Sequence, residues 1–538
     1  MLNNFNNLRD NTILYSPALI ISIVASLPLI NIFLNTLNIN YEYINFLRDT
    51  SLFIFFFNSL HILLWVLPIT FLLGVLSAYL VTFYKFPFVN FFKWALILSL
   101  AIPSYIFAFS LSSFFEFYGT GFLIISKIIG SSEKNFIPNI SPLVGTISSL
   151  SLTLFGYVFI LTKSSFLNQS QNLIDVGLNL GLKNINIFFK IILPLARPSI
   201  FIGLSLVAME TLSDYGTVSF FGISTFTTGI YDSWFIFDDL LTANFLSICL
   251  LFFILLFFLS EKISRGYSKF FFFNTGKERQ IKKINLSGYK GLLAFIFCAS
   301  LFFVSFLFPL FQMIFWTFQF PEYFSNIDLF KLNVNTLRIV IITSLILIIL
   351  SVITNFSIRV LKSRLLNFIS FFSVSGYAIP GIIISVSILS FLSFLDDFFV
   401  LNLKNIFIGT ISGLVLGYFL RFYSISFNGI KTSYLNINYS VDETSYLLGY
   451  KKYQTFFKVH FPFLFKNLIL IFLLISIEVL KELPITLILR PFNFETFSTT
   501  AYNFASQDLI EASALPSLFL ILWTSIFIII YLKYSDDK

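Results

Sequence analysis

The chain has 538 residues, of which 57% are hydrophobic and 11% charged, with a formal net charge of +8. A soluble globular domain carries about a quarter of its residues charged, so this composition excludes one. The apolar runs are continuous and do not alternate, which excludes a β-barrel; the remaining reading is an all-α integral membrane protein.

A hydrocarbon slab about 30 Å thick takes about 20 apolar residues per helical crossing. Residues Met1 to Asn11 show neither a strongly charged leading region nor a small-residue cleavage site, so the first apolar run is expected to be an uncleaved helix. Apolar runs bounded by charges, Pro or polar clusters then predict helices at 13–36, 54–82, 91–115, 142–166, 194–217, 241–262, 291–316, 336–360, 367–394, 405–429, 463–488 and 512–532, about twelve crossings. Pro103-Ser104 and Pro380-Gly381 interrupt the third helix of each half and predict kinks there, either static or acting as gating hinges.

With both termini cytoplasmic, most of the 34 Lys and Arg fall on the inner side, Arg359 and Arg421 counted among them. The basic excess then lies against the anionic inner leaflet and implies lipid contact without nucleic acid. The stretch Lys262 to Lys290 is the longest such connection and reads as a linker.

Chemical motifs are scarce. Cys249 and Cys298 lie in apolar runs and read as small apolar side chains. The two histidines, His61 and His460, form no cluster of metal-ligand spacing, so no tightly bound metal and no catalytic residue are expected. Gly276-Lys277 has Phe271 where a phosphate-binding loop needs its first glycine and Glu278 where it needs Ser or Thr, so the chain shows no ATP site of its own.

The strongest signal is an internal repeat. DVGLNLGLKNINIFFKIILP (Asp175 to Pro194) matches ETSYLLGYKKYQTFFKVHFP (Glu443 to Pro462) at a constant offset, since 449 − 181, 462 − 194 and 478 − 210 all equal 268. Gly181 meets Gly449, Phe188-Phe189-Lys190 meets Phe456-Phe457-Lys458, and Glu210 meets Glu478. Both copies enter the loop with the chain running the same way, which predicts two parallel halves related by a pseudo-two-fold axis along the membrane normal. Within each copy an acid is followed six residues later by a glycine that permits a tight bend. A proline then opens the next helix, where its missing N–H costs nothing.

This pattern resembles the EAA loop of type I ABC importer permeases, and its double occurrence resembles their fused, two-half members. The first copy has Asp-Val-Gly and the second Glu-Thr-Ser in place of Glu-Ala-Ala. The resemblance implies a first half at 1–262 (core about 54–262, loop 175–194), a linker at 263–290, and a second half at 291–538 (core about 336–532, loop 443–462). It implies ATPase coupling through Asp175, Gly181, Pro194, Glu443, Gly449 and Pro462. Two copies of a cytoplasmic ABC ATPase would bind ATP and Mg, this chain would hold no cofactor and be no enzyme, and a periplasmic or extracytoplasmic solute-binding protein would deliver the cargo. The location implied is the bacterial cytoplasmic (inner) membrane. The strings Leu193 to Phe235 and Lys481 to Ser506 resemble ferric iron permeases, with thiamine or phosphonate import as the alternative within the same architecture. An ion-coupled secondary transporter is the alternative from another class, and it predicts polar residues near the bilayer midplane.

Glu210 and Asp214, with Glu478 and Glu482, lie sixteen and twenty residues after the loop prolines. At 1.5 Å per residue the first acid of each pair stands roughly 24 Å from the cytoplasmic end of its helix. A spacing of four places both acids on one helix face. An unpaired carboxylate at depth costs about 2.5–3.5 kcal/mol, so all four are expected to line the outer part of a path, unless Lys481 or Arg490 neutralises them.

Overall fold

The computed structural model describes residues 2–35, 45, 48–116, 119–129, 140–169, 171–265, 282–324, 327–399 and 402–536. Eight of the described helices are long and apolar enough to cross a membrane, and nine if one bent pair is a single span. Two shorter apolar helices, Tyr15–Pro28 and Leu240–Leu256, accompany them. The helix Ile411–Leu435 is not among the eight.

Several predicted helices prove to be broken. The run predicted at 91–115 divides into Val89–Ala101 and Ser104–Phe115, bent by 90°. The one predicted at 367–394 divides into Arg364–Ser373, a short 3-10 turn at Val374–Ala378, and Gly381–Phe399. Ile102 and Ile379, each just before a proline, are extended at φ −98° and −96°; proline disfavours helical backbone in the residue before it. The run predicted at 194–217 ends at Ser213, and that at 463–488 ends at Lys481. Short helices at Thr120–Ile129, Phe226–Phe235 and Phe497–Ser506 were absent from the sequence expectation, being too short to show as spans.

Each half is built on three mutually packed helices: Phe53–Phe83, Pro142–Leu167 and Leu193–Ser213 in the first, Leu329–Leu361, Ile411–Leu435 and Phe461–Lys481 in the second. In an apolar surround, interhelical hydrogen bonds between small polar side chains add to close packing. The second trio has three such bonds, Ser344–Ser476 at 3.2 Å, Ser351–Ser426 at 2.5 Å and Thr354–Tyr423 at 2.7 Å.

The halves also exchange their leading helices. Leu2–Asn35 packs on Leu329–Leu361, Arg364–Ser373 and Gly381–Phe399, where Ser373 Oγ donates to the Ser22 carbonyl at 2.9 Å. Phe308–Gln319 in turn packs on Ser104–Phe115, and Thr120 Oγ1 donates to Gln312 Oε1 at 2.9 Å. A short parallel pairing of Tyr84–Lys85 with Ile284–Asn285 ties the start of the second half to the first. The expected linker lies largely outside the described residues, 266–281 entirely so.

Candidate functional site

The candidate site forms where two long helices stop. Asp214 follows Ser213 with extended backbone (φ −66°, ψ 127°), and Glu482 follows Lys481 likewise (φ −67°, ψ 119°). The helical-face argument for these acids therefore fails: each second acid lies past the last helical residue, and its carboxylate caps the next short helix. Asp214 Oδ1 accepts from the Thr217 and Val218 amides at 2.9 and 3.2 Å, and its Oδ2 accepts from Ser104 Oγ at 2.6 Å. Glu482 Oε1 accepts from the Ile485 amide at 3.3 Å. The break itself is held in the same manner in both halves, by a hydroxyl from the following short helix: Thr227 Oγ1 donates to the Asp214 carbonyl at 2.8 Å and Ser498 Oγ to that of Glu482 at 3.2 Å.

All four predicted acids nonetheless meet. Glu210, Asp214, Glu478 and Glu482 line one cavity of about 90 Å³ between the halves, together with Tyr105, Tyr157, Arg421 and Lys481. Glu210 and Glu478 accept hydrogen bonds across the interface in reciprocal fashion. Tyr157 of the first half donates to Glu478 Oε1 at 3.3 Å, and Tyr377 of the second donates to Glu210 Oε1 at 3.2 Å. Lys481 Nζ lies 3.6 Å from Glu478, whereas Arg490 pairs with Glu495 and neutralises none of the four.

A second cation that reaches them is one that the charge count assigned to the cytoplasmic side. Arg421 lies mid-way along Ile411–Leu435, its Nη1 3.2 Å from Glu482 Oε1 and its Nη2 4.0 Å from Glu210 Oε2. Counting charges gave it to the cytoplasmic side, although the helix predicted at 405–429 contains it, and an ionisable residue inside a span is itself a signal that the count passed over. The predicted kinks form part of the same wall. Ser104, directly after Pro103, is the donor to Asp214. Gly381, directly after Pro380, packs against the ion pair so closely that a Cβ there would collide with Arg421 and Glu482. Among the described residues no group of three or more His, Cys, Asp and Glu side chains is arranged to hold a metal ion.

The second pair of predicted features lies at the opposite ends of the long helices. Gln171–Asn179 and Tyr439–Leu447 are short helices, each closed by a glycine with positive φ, Gly181 at 76° and Gly449 at 83°. Both end in a Schellman motif: Gly181 N–H to the Leu178 carbonyl with Leu182 N–H to that of Gly177, and Gly449 N–H to Tyr446 with Tyr450 N–H to Ser445. The chain re-enters through a five-residue π turn in each half, Phe188–Ile192 and Phe456–His460, and Pro194 and Pro462 fall in the first turn of the helices that follow. The tips carry exposed leucines, Leu180 in the first and Leu447 and Leu448 in the second.

The loop acids differ. Asp175 accepts from Gln171 Nε2 at 2.8 Å, and Glu443 is exposed. It is the neighbouring Asp442 that is buried, accepting from Arg359 Nε at 2.8 Å and lying 2.6 Å from His460 Nε2. Sequence reading missed this triad because the three residues are far apart along the chain. Beneath the first half, Lys283 donates to the Val81 carbonyl at 2.8 Å. Its ammonium is pushed down to about 8, by partial burial first and then by Lys93, Lys163 and Lys85.

Comparison with known proteins adds to this picture. Residues 70–268 match the family described as the binding-protein-dependent transport system inner membrane component. The chain is 23% identical over 472 residues to the Fe(3+)-transport system permease protein FbpB 2 of Haemophilus influenzae, covering 86% of each. It is 32% identical over 142 residues, 26% of this chain and 20% of the relative, to the ferric transport system permease protein FbpB of Actinobacillus pleuropneumoniae.

Proposed function

We propose that this chain is a fused inner-membrane permease of the binding-protein-dependent ABC importer type, a reading supported by the family match and the ferric permease relative, and that it carries ferric iron into the cytoplasm through the carboxylate cavity between its halves. The observation that carries the reading is the convergence of Glu210, Asp214, Glu478 and Glu482, two from each half, on one small space where, among the described residues, Arg421 and Lys481 are the lining cations. The formal excess of negative charge favours a multivalent cation and opposes a phosphonate. Pockets for organic solutes run to about 300–1,000 Å³, so a cavity of about 90 Å³ suits an ion better than thiamine.

In this reading the chain is organised as halves 1–262 and 291–538. Two copies of a cytoplasmic ATPase, which bind ATP and Mg, dock at the tips around Asp175 and Gly181 and around Glu443 and Gly449, against the exposed leucines. Pro194 and Pro462 relay that movement into the helices carrying Glu210 and Glu478. An extracytoplasmic binding protein loads the opposite side, and both termini are cytoplasmic. Pro103, Pro380 and Gly381 serve as fixed breaks that shape the cavity wall.

The test is uptake by liposomes containing the permease, its ATPase and its binding protein. Ferric-loaded binding protein is expected to stimulate ATP hydrolysis, and thiamine-loaded protein is not. The double variant Glu210→Gln, Glu478→Gln should lose iron uptake on the order of tenfold with subunit assembly intact. Undiminished uptake by that variant overturns the path. Uptake without any ATPase, driven by an ion gradient, would select the secondary-transporter alternative instead.

A further inference from the structure

Two buried arginines on central helices of the second half are held in opposite ways. Arg359 has every nitrogen engaged: Nε on Asp442, Nη1 on the Tyr434 carbonyl at 3.1 Å, Nη2 on those of Ile437 and Asn438 at 2.9 and 3.2 Å. Arg421 is as deeply buried, its side chain 7% exposed, yet among the described residues its guanidinium has one hydrogen bond at 3.2 Å, one looser carboxylate contact at 4.0 Å and the Phe422 ring at 5.6 Å. Its Nε has no partner among the described residues. A guanidinium keeps its charge in any protein environment, and burying one is costly unless it is fully paired. Arg359 fits a fixed structural cation. Arg421 has the incomplete coordination of a cation that gives up its partners.

We propose that Arg421 is the charge-selectivity element of the path, a tethered cation that occupies Glu210 and Glu482 until a multivalent ion displaces it. This rests on the reading of the cavity as the iron path and names the residue that decides which cations pass. The chain makes room for the guanidinium, since any side chain at position 381 would strike it. It also carries the charge once: the register of the repeat places Thr153 opposite (421 − 153 = 268), and Thr153 lines the same cavity. Two facing guanidinium groups would repel each other, whereas a single one can bridge Glu482 of its own half to Glu210 of the other.

The selectivity follows from Coulomb's law. At equal distance a trivalent ion interacts with the same carboxylates about three times as strongly as a monovalent one. Sodium or a hydrated proton gains no charge advantage over a guanidinium already in place, and a positive group in a narrow passage is a barrier to them. Iron gains a large one, and once Arg421 leaves Glu210 a contact between the halves is released.

The experiment uses the whole complex of permease, ATPase and ferric-loaded binding protein in liposomes. It reads radiolabelled sodium leak without ATP, ferric uptake with ATP, and stimulation of ATP hydrolysis. In complexes that still co-purify with the ATPase, R421Q should raise the sodium leak on the order of tenfold; R421K, which retains the charge, should stay tight. The pair R421Q, T153R moves the cation to the other half and should close the leak again, and it supplies the reading if R421Q alone does not assemble. An assembled R421Q complex as tight as the parent overturns the proposal, as does a leak that T153R leaves unchanged. If wild-type liposomes move no iron but R421Q leaks sodium, the cargo is wrong and Arg421's role stands. If iron moves and R421Q stays tight, the reverse holds.

Discussion

The hairpin at the foot of the first half is anchored by hydrogen bonds from glutamine amides, whereas that of the second is anchored by a buried Arg–Asp–His triad. In the first, Gln171 bonds to Asp175, and Gln169 Nε2 donates to the Ile192 carbonyl at 3.0 Å. In the second, Asp442 joins Arg359 to His460, with Arg359 also stacked on Tyr434 and Tyr439 at 5.2 and 4.6 Å. At the 268-residue offset, Asp442 corresponds to Ile174 and His460 to Ile192. The backbone beneath these differences is the same: Schellman glycines, π turns, first-turn prolines and capped breaks all recur. Duplication has thus preserved the shapes that backbone hydrogen bonding enforces, while charge has diverged wherever one half could carry it for both. Arg421 opposite Thr153 is the same pattern in the cavity.

The largest effect should come from cutting the triad. Asp442→Ala leaves Arg359 and His460 buried without their carboxylate, and removing one partner of a buried pair costs about 3–5 kcal/mol. Thermal unfolding of the purified protein in detergent reads that loss. Replacing Asp442 and His460 by the isoleucines of the first half, together with Arg359→Met, should cost less than the single change, because no unpaired charge remains. A triple variant worse than the single would show that the carbonyl contacts of Arg359, and not its charge pairing, hold the hairpin. Asp175→Ala in the first half gives up one partly exposed hydrogen bond, worth about 0.5–1.5 kcal/mol. Equal losses at Asp175 and Asp442 would erase the distinction between the two anchors.

What the sequence disclosed and what it hid follow from the same division. The repeat, the loop glycines and prolines and the convergence of the four acids were legible, because they are local patterns fixed by backbone needs and by the cost of a carboxylate in lipid. The helix breaks at Asp214 and Glu482 were not, because hydrophobic side chains continue through Val218 and Leu489 and mask the stop. A signal did exist: an acid with a hydroxyl or proline two to four residues on, Asp214 before Thr217 and Glu482 before Pro484, reads as a capped restart. Arg421 lay inside the helix predicted at 405–429 but was counted with the cytoplasmic charges, so its position within a span went unused; the exchange of leading helices has no local signature at all. The membrane-capable helices described number eight or nine, against twelve expected crossings, because the breaks leave some runs too short or too bent to count.

The finest test of the comparison uses the one feature that the two hairpins share most closely. Gly181 and Gly449 both hold left-handed backbone, and a Cβ at either would meet nothing within 4 Å. An alanine there therefore brings backbone strain alone, about 1–2 kcal/mol, and the same amount in both halves. Unfolding should shift equally for Gly181→Ala and Gly449→Ala. Coupling should not. The strained turn in the second half sits on a hairpin clamped by the triad and has nowhere to move, whereas in the first half Gln171 and Asp175 are weak enough for the tip to shift and relieve it. The ratio of iron moved to ATP hydrolysed should therefore fall further for Gly181→Ala than for Gly449→Ala. Equal ratios would mean that the ion triad stabilises the second hairpin without stiffening it.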